Sequence, residues 1–196
     1  MFENDKKNGY GIEIYDNDIY YEGEFKNNLK EGKGKLILNK SDNNNGNYVY
    51  SGDFHPDQIS GNGRLLWDSQ KEYIGEFKNN EMNGYGMLLD DNVRYIGYFR
   101  NNLKDGYGAS LFSDESYLLL GKWENDNAEG NCIVIPLGEY KEKEESFVLM
   151  FKGNPSNTEL TQENISKFKE SEEYKEMKDL YSKKLYPDFL KYLTQK

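Results

Sequence analysis

Side chains able to do covalent or metal chemistry are scarce in this chain of 196 residues. It holds one histidine, His55, and one cysteine, Cys132, far apart and joined by no motif. Nucleophilic catalysis needs a base within reach of the nucleophile, and no histidine lies in the half that carries Cys132, which reads as a small packed residue. Zinc sites need more Cys and His than this. A single cysteine also excludes an internal disulfide. Asp16-Asn17-Asp18 and Asp90-Asp91-Asn92 look like fragments of a calcium loop, but the remaining ligands of the twelve-residue loop do not follow. They read as hairpin turns. Gly-x-Gly recurs along the chain, yet never as Gly-x-Gly-x-x-Gly before a helix, so a dinucleotide site is unsupported. No catalytic residue, cofactor or metal is expected, and the chain reads as a non-enzyme.

Charge narrows the partners. The net charge is −10 and the pI about 4.8. Nucleic acids are bound largely by Lys and Arg neutralising phosphates, and anionic membrane surfaces attract basic segments. No cluster of four or more Lys/Arg occurs, so nucleic acid is excluded and membrane lipid is disfavoured by the acidity. No stretch is long and apolar enough to span a bilayer, and the first residues lack the basic start and apolar run of a signal peptide. The sequons at Asn39 and Asn164 then read as chance, and a reducing, intracellular setting is expected.

Hydrophobic residues make up 36% and charged residues 31%, yet aromatic residues reach 15%. Disordered chains are poor in aromatics. A fold held by stacked rings, rather than by a thick aliphatic interior, reconciles these figures.

The elements that could stack such rings appear as a repeat. Five times the chain runs aromatic (or Leu)-x-Gly-x-aromatic and meets a glycine seven residues after the second aromatic. Tyr21-Glu22-Gly23-Glu24-Phe25 leads to Gly32-Lys33-Gly34. Tyr50-Ser51-Gly52-Asp53-Phe54 leads to Gly61-Asn62-Gly63, and Tyr73-Ile74-Gly75-Glu76-Phe77 to Gly84-Tyr85-Gly86. Tyr95-Ile96-Gly97-Tyr98-Phe99 leads to Gly106-Tyr107-Gly108, and Leu119-Leu120-Gly121-Lys122-Trp123 to Gly130-Asn131-Cys132. A polar insert, residues 40–47, lengthens the first interval. Asn8-Gly9-Tyr10-Gly11 reads as the second half of a copy lacking its first half, and Phe151-Lys152-Gly153 as the opening of an abandoned one. Degenerate ends are expected of a stack that must be capped.

This pattern closely resembles the MORN-repeat family over roughly residues 8–153. The resemblance implies a mainly β fold: an elongated, twisted, single-layer antiparallel sheet of stacked β-hairpins with a C-terminal helical cap. Residues 1–157 are expected to form the repeat sheet and residues 158–196 the helical extension.

Alternation puts Tyr73, Gly75 and Phe77 on one strand face, and Gly84, Gly86 and Leu88 on one face of the next strand. With residues 78–83 as a polar turn, folding sets Phe77 near Gly84, Gly75 near Gly86 and Tyr73 near Leu88. The bare glycine patch is then a socket for an aromatic ring of a neighbouring repeat. Tyr21, Phe25, Tyr50, Phe54, Tyr73, Phe77, Tyr95, Phe99 and Trp123 are expected to form this framework, some of them also lining a partner groove. The many acidic residues read as solvent-facing.

Composition shifts after residue 157: glycine disappears, and Lys balances Asp plus Glu at eight each, so the −10 resides in residues 1–157. Thr161 is a candidate N-cap with Glu163 in the first turn. Ile165 and Phe168 oppose Tyr174, Met177, Tyr181 and Leu185 on a helical wheel, so the spacing predicts a break near Ser171, with Ser171 capping a second helix. Pro187 ends that helix and opens a last short one. Beyond capping, Tyr186, Phe189, Leu190 and Leu193 form a candidate apolar hook for another protein or a second copy.

The expected function is a protein-binding scaffold in a cytoskeletal, ciliary (axonemal) or membrane-skeleton assembly, with other proteins, helical segments among them, or a second copy as partners. MORN-like proteins occur in such settings, and the Asn-, Lys- and Tyr-rich wording resembles AT-rich protist coding sequence. The alternatives are a phospholipid-binding adaptor and the targeting module of a larger enzyme.

Overall fold

A computed structural model describes residues 2–16, 19–38, 48–67, 71–90, 93–111, 117–137, 144–156, 160–185 and 187–188. The insert at 40–47, the turn residues Asn17, Asp18, Asp91 and Asn92, and the hook residues Tyr186, Phe189, Leu190 and Leu193 lie outside the described residues.

Two compact units make up the chain, Met1–Asp91 and Asn92–Lys196. The first carries β1 (Phe2–Glu3), β2 (Lys6–Lys7), β3 (Gly9–Asp16), β4 (Ile19–Lys26), β5 (Leu29–Leu38), β6 (Tyr48–His55), β7 (Gln58–Trp67), β8 (Lys71–Lys78) and β9 (Glu81–Asp90). From β3 to β9 each strand pairs antiparallel with the next. The second unit carries β10 (Val93–Arg100), β11 (Leu103–Leu111), β12 (Tyr117–Glu124), β13 (Asn127–Pro136), β14 (Ser146–Phe151) and β15 (Asn154–Pro155), again paired in sequence order. It ends in α1 (Gln162–Glu170), α2 (Glu172–Leu180) and a π-helical turn over Tyr181–Leu185. The mainly β class expected from the sequence, antiparallel hairpins followed by C-terminal helices, holds.

The hairpin turns differ from the six-residue polar turn expected. Each is a two-residue turn. Asn27-Asn28, Asn79-Asn80, Asn101-Asn102 and Asn125-Asp126 hold both residues at positive φ, 53° and 75° in the first case. Such type I′ turns match the twist of the flanking strands, and Asn and Asp tolerate this conformation best. The tighter turn moves the register: Gly75 pairs with Gly86 and Tyr73 with Leu88, but Phe77 faces Met82 rather than Gly84. The spare residues form a bulge, and Gly84 takes φ +71 within it. The bulge carries the acid that precedes Phe77. A Cβ on Gly84 would lie 2.6 Å from the Glu76 carboxylate, which accepts from the Tyr85 amide at 3.1 Å. Glu24 and Asp53 hold the Lys33 and Asn62 amides in the same way, at 3.2 and 2.9 Å. These three acids are therefore not idle surface charges.

The glycine pair is also covered differently. The ring over Gly23 and Gly34 is Tyr21 of the same copy, not a neighbour's, and a Cβ on Gly34 would overlap its hydroxyl. The ring is long enough for Tyr21 OH to donate to Glu24 O at 2.9 Å, and Tyr50, Tyr73 and Tyr95 repeat this bond. The neighbour's contribution is the next aromatic: Phe54 stands edge-on to Tyr21 at 5.0 Å and Phe77 to Tyr50 at 5.2 Å. Phe25-Tyr21-Phe54-Tyr50-Phe77-Tyr73 is thus one chain of T-shaped contacts in the first unit, and Phe99-Tyr95-Trp123 another in the second. Such pairs add about 0.5–1.5 kcal/mol each beyond buried area. All nine framework rings lie in these two ladders and are buried.

Hydrogen bonds at the turns fasten copy to copy. Asn28 donates its amide to Lys7 O at 3.0 Å while its side chain accepts from Lys7 N at 2.7 Å. Asp57 does the same to Lys30, Asn80 to Ile59 and Asp126 to Lys104.

The helical break falls where the spacing predicts it. Thr161 Oγ1 caps α1 by accepting from Asn164 N, and Ser171 Oγ caps α2 by accepting from Tyr174 N, both at 3.2 Å.

Candidate functional site

The ladder rings occupy one face within each unit, and the opposite face differs between the two units. Cross-strand pairing aligns the residues that follow each ladder tyrosine. In the first unit the row reads Ile12, Glu22, Lys35, Ser51, Arg64, Ile74, Met87. In the second it reads Ile96, Ala109, Leu120, Ile133, Phe147.

The first row is open. Ile12 is 64% and Ile74 40% exposed, beside Tyr10 and Ile14 at 63% and 73%. Charges of both signs stud it: Tyr10 OH donates to Glu22 at 2.6 Å, Lys33 pairs with Asp53 at 2.5 Å, and Arg64 pairs with Glu72. Tyr10, Glu22, Lys35 and Ser51 border an open hollow of about 400 Å³ floored by the backbone of Gly34 and Gly52.

The second row is buried. Ile96 is 2% exposed, and Ala109, Leu120 and Ile133 are fully covered. The chain's own tail packs against that face. Phe168 and Tyr174 close on Phe147 at 6.0 and 6.2 Å, Lys184 stands 5.2 Å over Tyr98, and Met177 and Leu185 are fully buried. Glu145 latches the helices: Tyr174 OH and Lys178 Nζ both donate to its carboxylate, at 2.6 and 2.7 Å. Desolvation pushes this carboxyl up, but the two donors outweigh it and hold it below the ordinary value. Burial, then the bond to Glu145, pushes the Tyr174 phenol up to about 12.

The lone cysteine has a structural place. Cys132 replaces the second glycine of its copy, and a Cβ on Gly121 would overlap its sulfur. Leu119 stands where the other copies have tyrosine, so the Cys132 side chain fills the space that a ring covers elsewhere. It is fully buried, and desolvation, then Glu173 and Glu129, pushes the thiol up to about 12. Such a thiol stays protonated and unreactive at neutral pH. His55 is exposed, with Nδ1 3.0 Å from Glu31.

Sequence reasoning centred on the rings did not single out the open row, the bulge acids Glu24, Asp53 and Glu76, or the Glu145 latch. The row had a signal: residues at one repeat position run Glu22, Ser51, Ile74, Ile96, Leu120, and their partners Lys35, Arg64, Met87, Ala109, Ile133. The latch had none, since Glu145 meets helix residues far along the chain.

Known proteins share this repeat. A MORN-repeat profile matches residues 1–18, 21–42, 50–71, 73–92 and 95–117. Over 158 residues, 76% of the chain, the sequence is 30% identical to proteins named Alsin from Rattus norvegicus, Homo sapiens and Mus musculus. The chain spans 9% of the length of those relatives. The profile accepts residues 1–18 as a repeat, and the structure shows why: Phe2–Glu3 pairs with Lys6–Lys7 across an Asn4-Asp5 turn, so the end of a first strand is in place. The copy at Leu119–Cys132, with its two framework departures, lies beyond the matched residues yet folds as the same hairpin. Five matched repeats and a ring ladder built on their shared positions place the chain in the MORN-repeat family.

Proposed function

We propose that the chain is a non-enzymatic protein-interaction scaffold, and that the open face of its first unit receives a helical segment of a protein partner. One observation carries the reading. The row that follows the ladder tyrosines is, in the second unit, apolar and covered by helices of this chain, whereas in the first unit it is largely exposed and mixed in charge. The pattern of Ile12, Ile74 and Met87 among paired charges suits a partner that is itself amphipathic and charged, since exposed ion pairs add little affinity but select partners. MORN repeats serve as interaction modules, and the similarity to a stretch amounting to 9% of the far longer Alsin proteins fits a module that works as part of something larger. The assembly we favour is cytoskeletal, ciliary or part of a membrane skeleton.

The test is affinity purification of the tagged chain, with mass spectrometry of what is retained, beside a variant carrying Ile12→Asp and Ile74→Asp. Specific proteins retained by the parent and lost from the variant support the reading, and cytoskeletal or axonemal proteins among them support the assembly. Equal retention by both removes the open face from the function. Salt-sensitive, stoichiometric sedimentation with anionic vesicles would favour the lipid adaptor instead.

A further inference from the structure

The open row of the first unit carries an unpaired cation at its centre. Lys35 lies opposite Ser51 across β5 and β6, and Ser51 lies opposite Arg64 across β6 and β7. A hydroxyl thus stands between two basic side chains on one face. The acids nearby are engaged elsewhere. Glu22, opposite Lys35, accepts from Tyr10 OH at 2.6 Å, and Glu72 accepts from Arg64 Nε. Asp53 is paired with Lys33. Lys35 and Ser51 are exposed, and among the described residues neither side chain has an ion pair or hydrogen bond. The hollow beside them is floored by the backbone of Gly34 and Gly52, so a group entering it can reach the sheet itself. The second unit has no counterpart: its row runs through Ala109, Leu120 and Ile133.

An anion laid over Ser51 would meet Lys35 and Arg64 on either side and the hydroxyl beneath, and hydrogen bonds to an ionised acceptor are the stronger ones. The remainder of the row indicates what should carry that anion. Ser51, Arg64, Ile74 and Met87 stand on successive strands. Strand spacing puts the last three at about 4.8, 9.6 and 14.4 Å from Ser51. Residues i, i+3, i+7 and i+10 share one face of an α-helix and advance about 4.5, 10.5 and 15 Å. The two series agree to within about 1 Å. We infer that the helix received by the open face crosses strands β5–β9 and is anchored by one carboxylate, an Asp or Glu at i set over Ser51 between Lys35 and Arg64. Aliphatic residues at i+7 and i+10 then rest on Ile74 and Met87, which are exposed and half-buried respectively. Either chain direction satisfies the spacing. The inference rests on the proposed docking of a helix and adds what that helix must carry. An anionic membrane suits the row less well, because a flat surface meets the rest of a chain of net charge −10 as well as these two cations.

The probe is a synthetic fifteen-residue helix of Ala and Gln, blocked at both ends and stapled on its far side, with Glu at its third position and Leu at its tenth and thirteenth. It is titrated into the 15N-labelled full chain. Saturable amide shifts around Lys35, Ser51, Arg64, Ile74 and Met87 are expected. Replacing the peptide's Glu by Gln, or Lys35→Glu in the chain, should each weaken binding about fivefold or more, whereas Lys35→Arg should hold it within about twofold. The peptide replacement keeps the test intact should Lys35→Glu disturb the protein. Equal binding of the Glu and Gln peptides, or no saturable shift at millimolar peptide, overturns the inference. It falls alone if the chain still retains proteins that the variant with Ile12→Asp and Ile74→Asp loses, and together with the docking face if retention is equal. Lys35-dependent binding to phosphatidylserine vesicles without peptide shifts would assign the anion to a lipid headgroup and overturns it too.

Discussion

The two units are built from one hairpin and differ in what lies behind it. Both stack edge-on rings over glycine pairs, and both fasten successive turns with a reciprocal Asn or Asp bond. Behind the rings, the first unit carries Glu22, Lys35, Ser51 and Arg64 where the second carries Ile96, Ala109, Leu120 and Ile133. The first unit's back is polar along this row but not throughout, since the next row on the same face holds Tyr20, Ile37, Val49 and Leu66, with Ile37 buried. The second unit's row lies under a layer of its own helices. Ladder and back are thus separable: the ladder makes the hairpins cohere, and the back decides whether the chain or something else covers them.

The sharpest way to break this comparison is to place a charge at equivalent positions. Leu120→Asp buries an unpaired carboxylate beneath the helices and should cost about 4 kcal/mol, the scale of an uncompensated buried charge. Ile74→Asp, at the same repeat position but exposed, should change stability by less than about 0.5 kcal/mol. Urea unfolding followed by circular dichroism measures both. Similar losses would mean that the first unit's back is covered too. Next in size is Met177→Ala. Met177, on α2, is fully buried, and truncating such a side chain costs about 3 kcal/mol. The loss should appear as earlier release of the helices, read by hydrogen exchange, while amides of β4–β9 keep their protection.

Much of this was legible in the chain. The constant spacing of Tyr21, Gly23, Phe25 and Gly32 announces hairpins, because only a repeated unit needs the same bare backbone beneath the same ring. The break at Ser171 follows from opposed apolar sets, as Ile165 and Phe168 cannot share a face with Met177. What was not legible is geometry that spacing does not encode. A seven-residue gap fits a long turn as well as a two-residue turn with a bulge, and only the positive φ of Asn79 and Asn80 decides. The reach of Tyr21 across Gly23 to Glu24 depends on strand twist, so the spacing alone pointed to a neighbour's ring where the copy's own ring covers the pair. The latch at Glu145 joins residues too distant in sequence for any periodicity to link them.

The fifth copy lets the ladder rule be sharpened within one hairpin. Cys132→Gly restores the bare glycine pair but leaves Leu119, which lacks a ring to cover it. The resulting void should cost about 2 kcal/mol. Leu119→Tyr alone drives a ring into the Cys132 side chain and should cost a similar amount. The double variant recreates the tyrosine-over-glycines arrangement of the other four copies, so its loss should fall well below the sum. A coupling of about 1 kcal/mol or more in the cycle is expected. Strict additivity would show that ring and glycine pair are not one device.

The smallest effect separates the units by pH rather than by mutation. The Glu145 carboxyl titrates below its ordinary 4.5 when folded, so its contribution is present above 4.5 and is lost as the pH falls through the folded value. The Tyr174 phenol is raised from 10.0 to about 12, so its contribution is present below 10 and is lost as the pH rises through about 12. Both groups meet at one latch, hence helix release should accelerate at either limit and be slowest between them. Glu145 is partly exposed, and its ion pair with Lys178 should contribute no more than about 1 kcal/mol. Glu145→Gln removes the charge and leaves one acceptor oxygen where two serve Tyr174 and Lys178, and should abolish the acid limb of helix release while leaving the first unit unchanged. An acid limb that survives the substitution would move the switch away from Glu145, to the exposed i,i+4 pairs of the helices themselves.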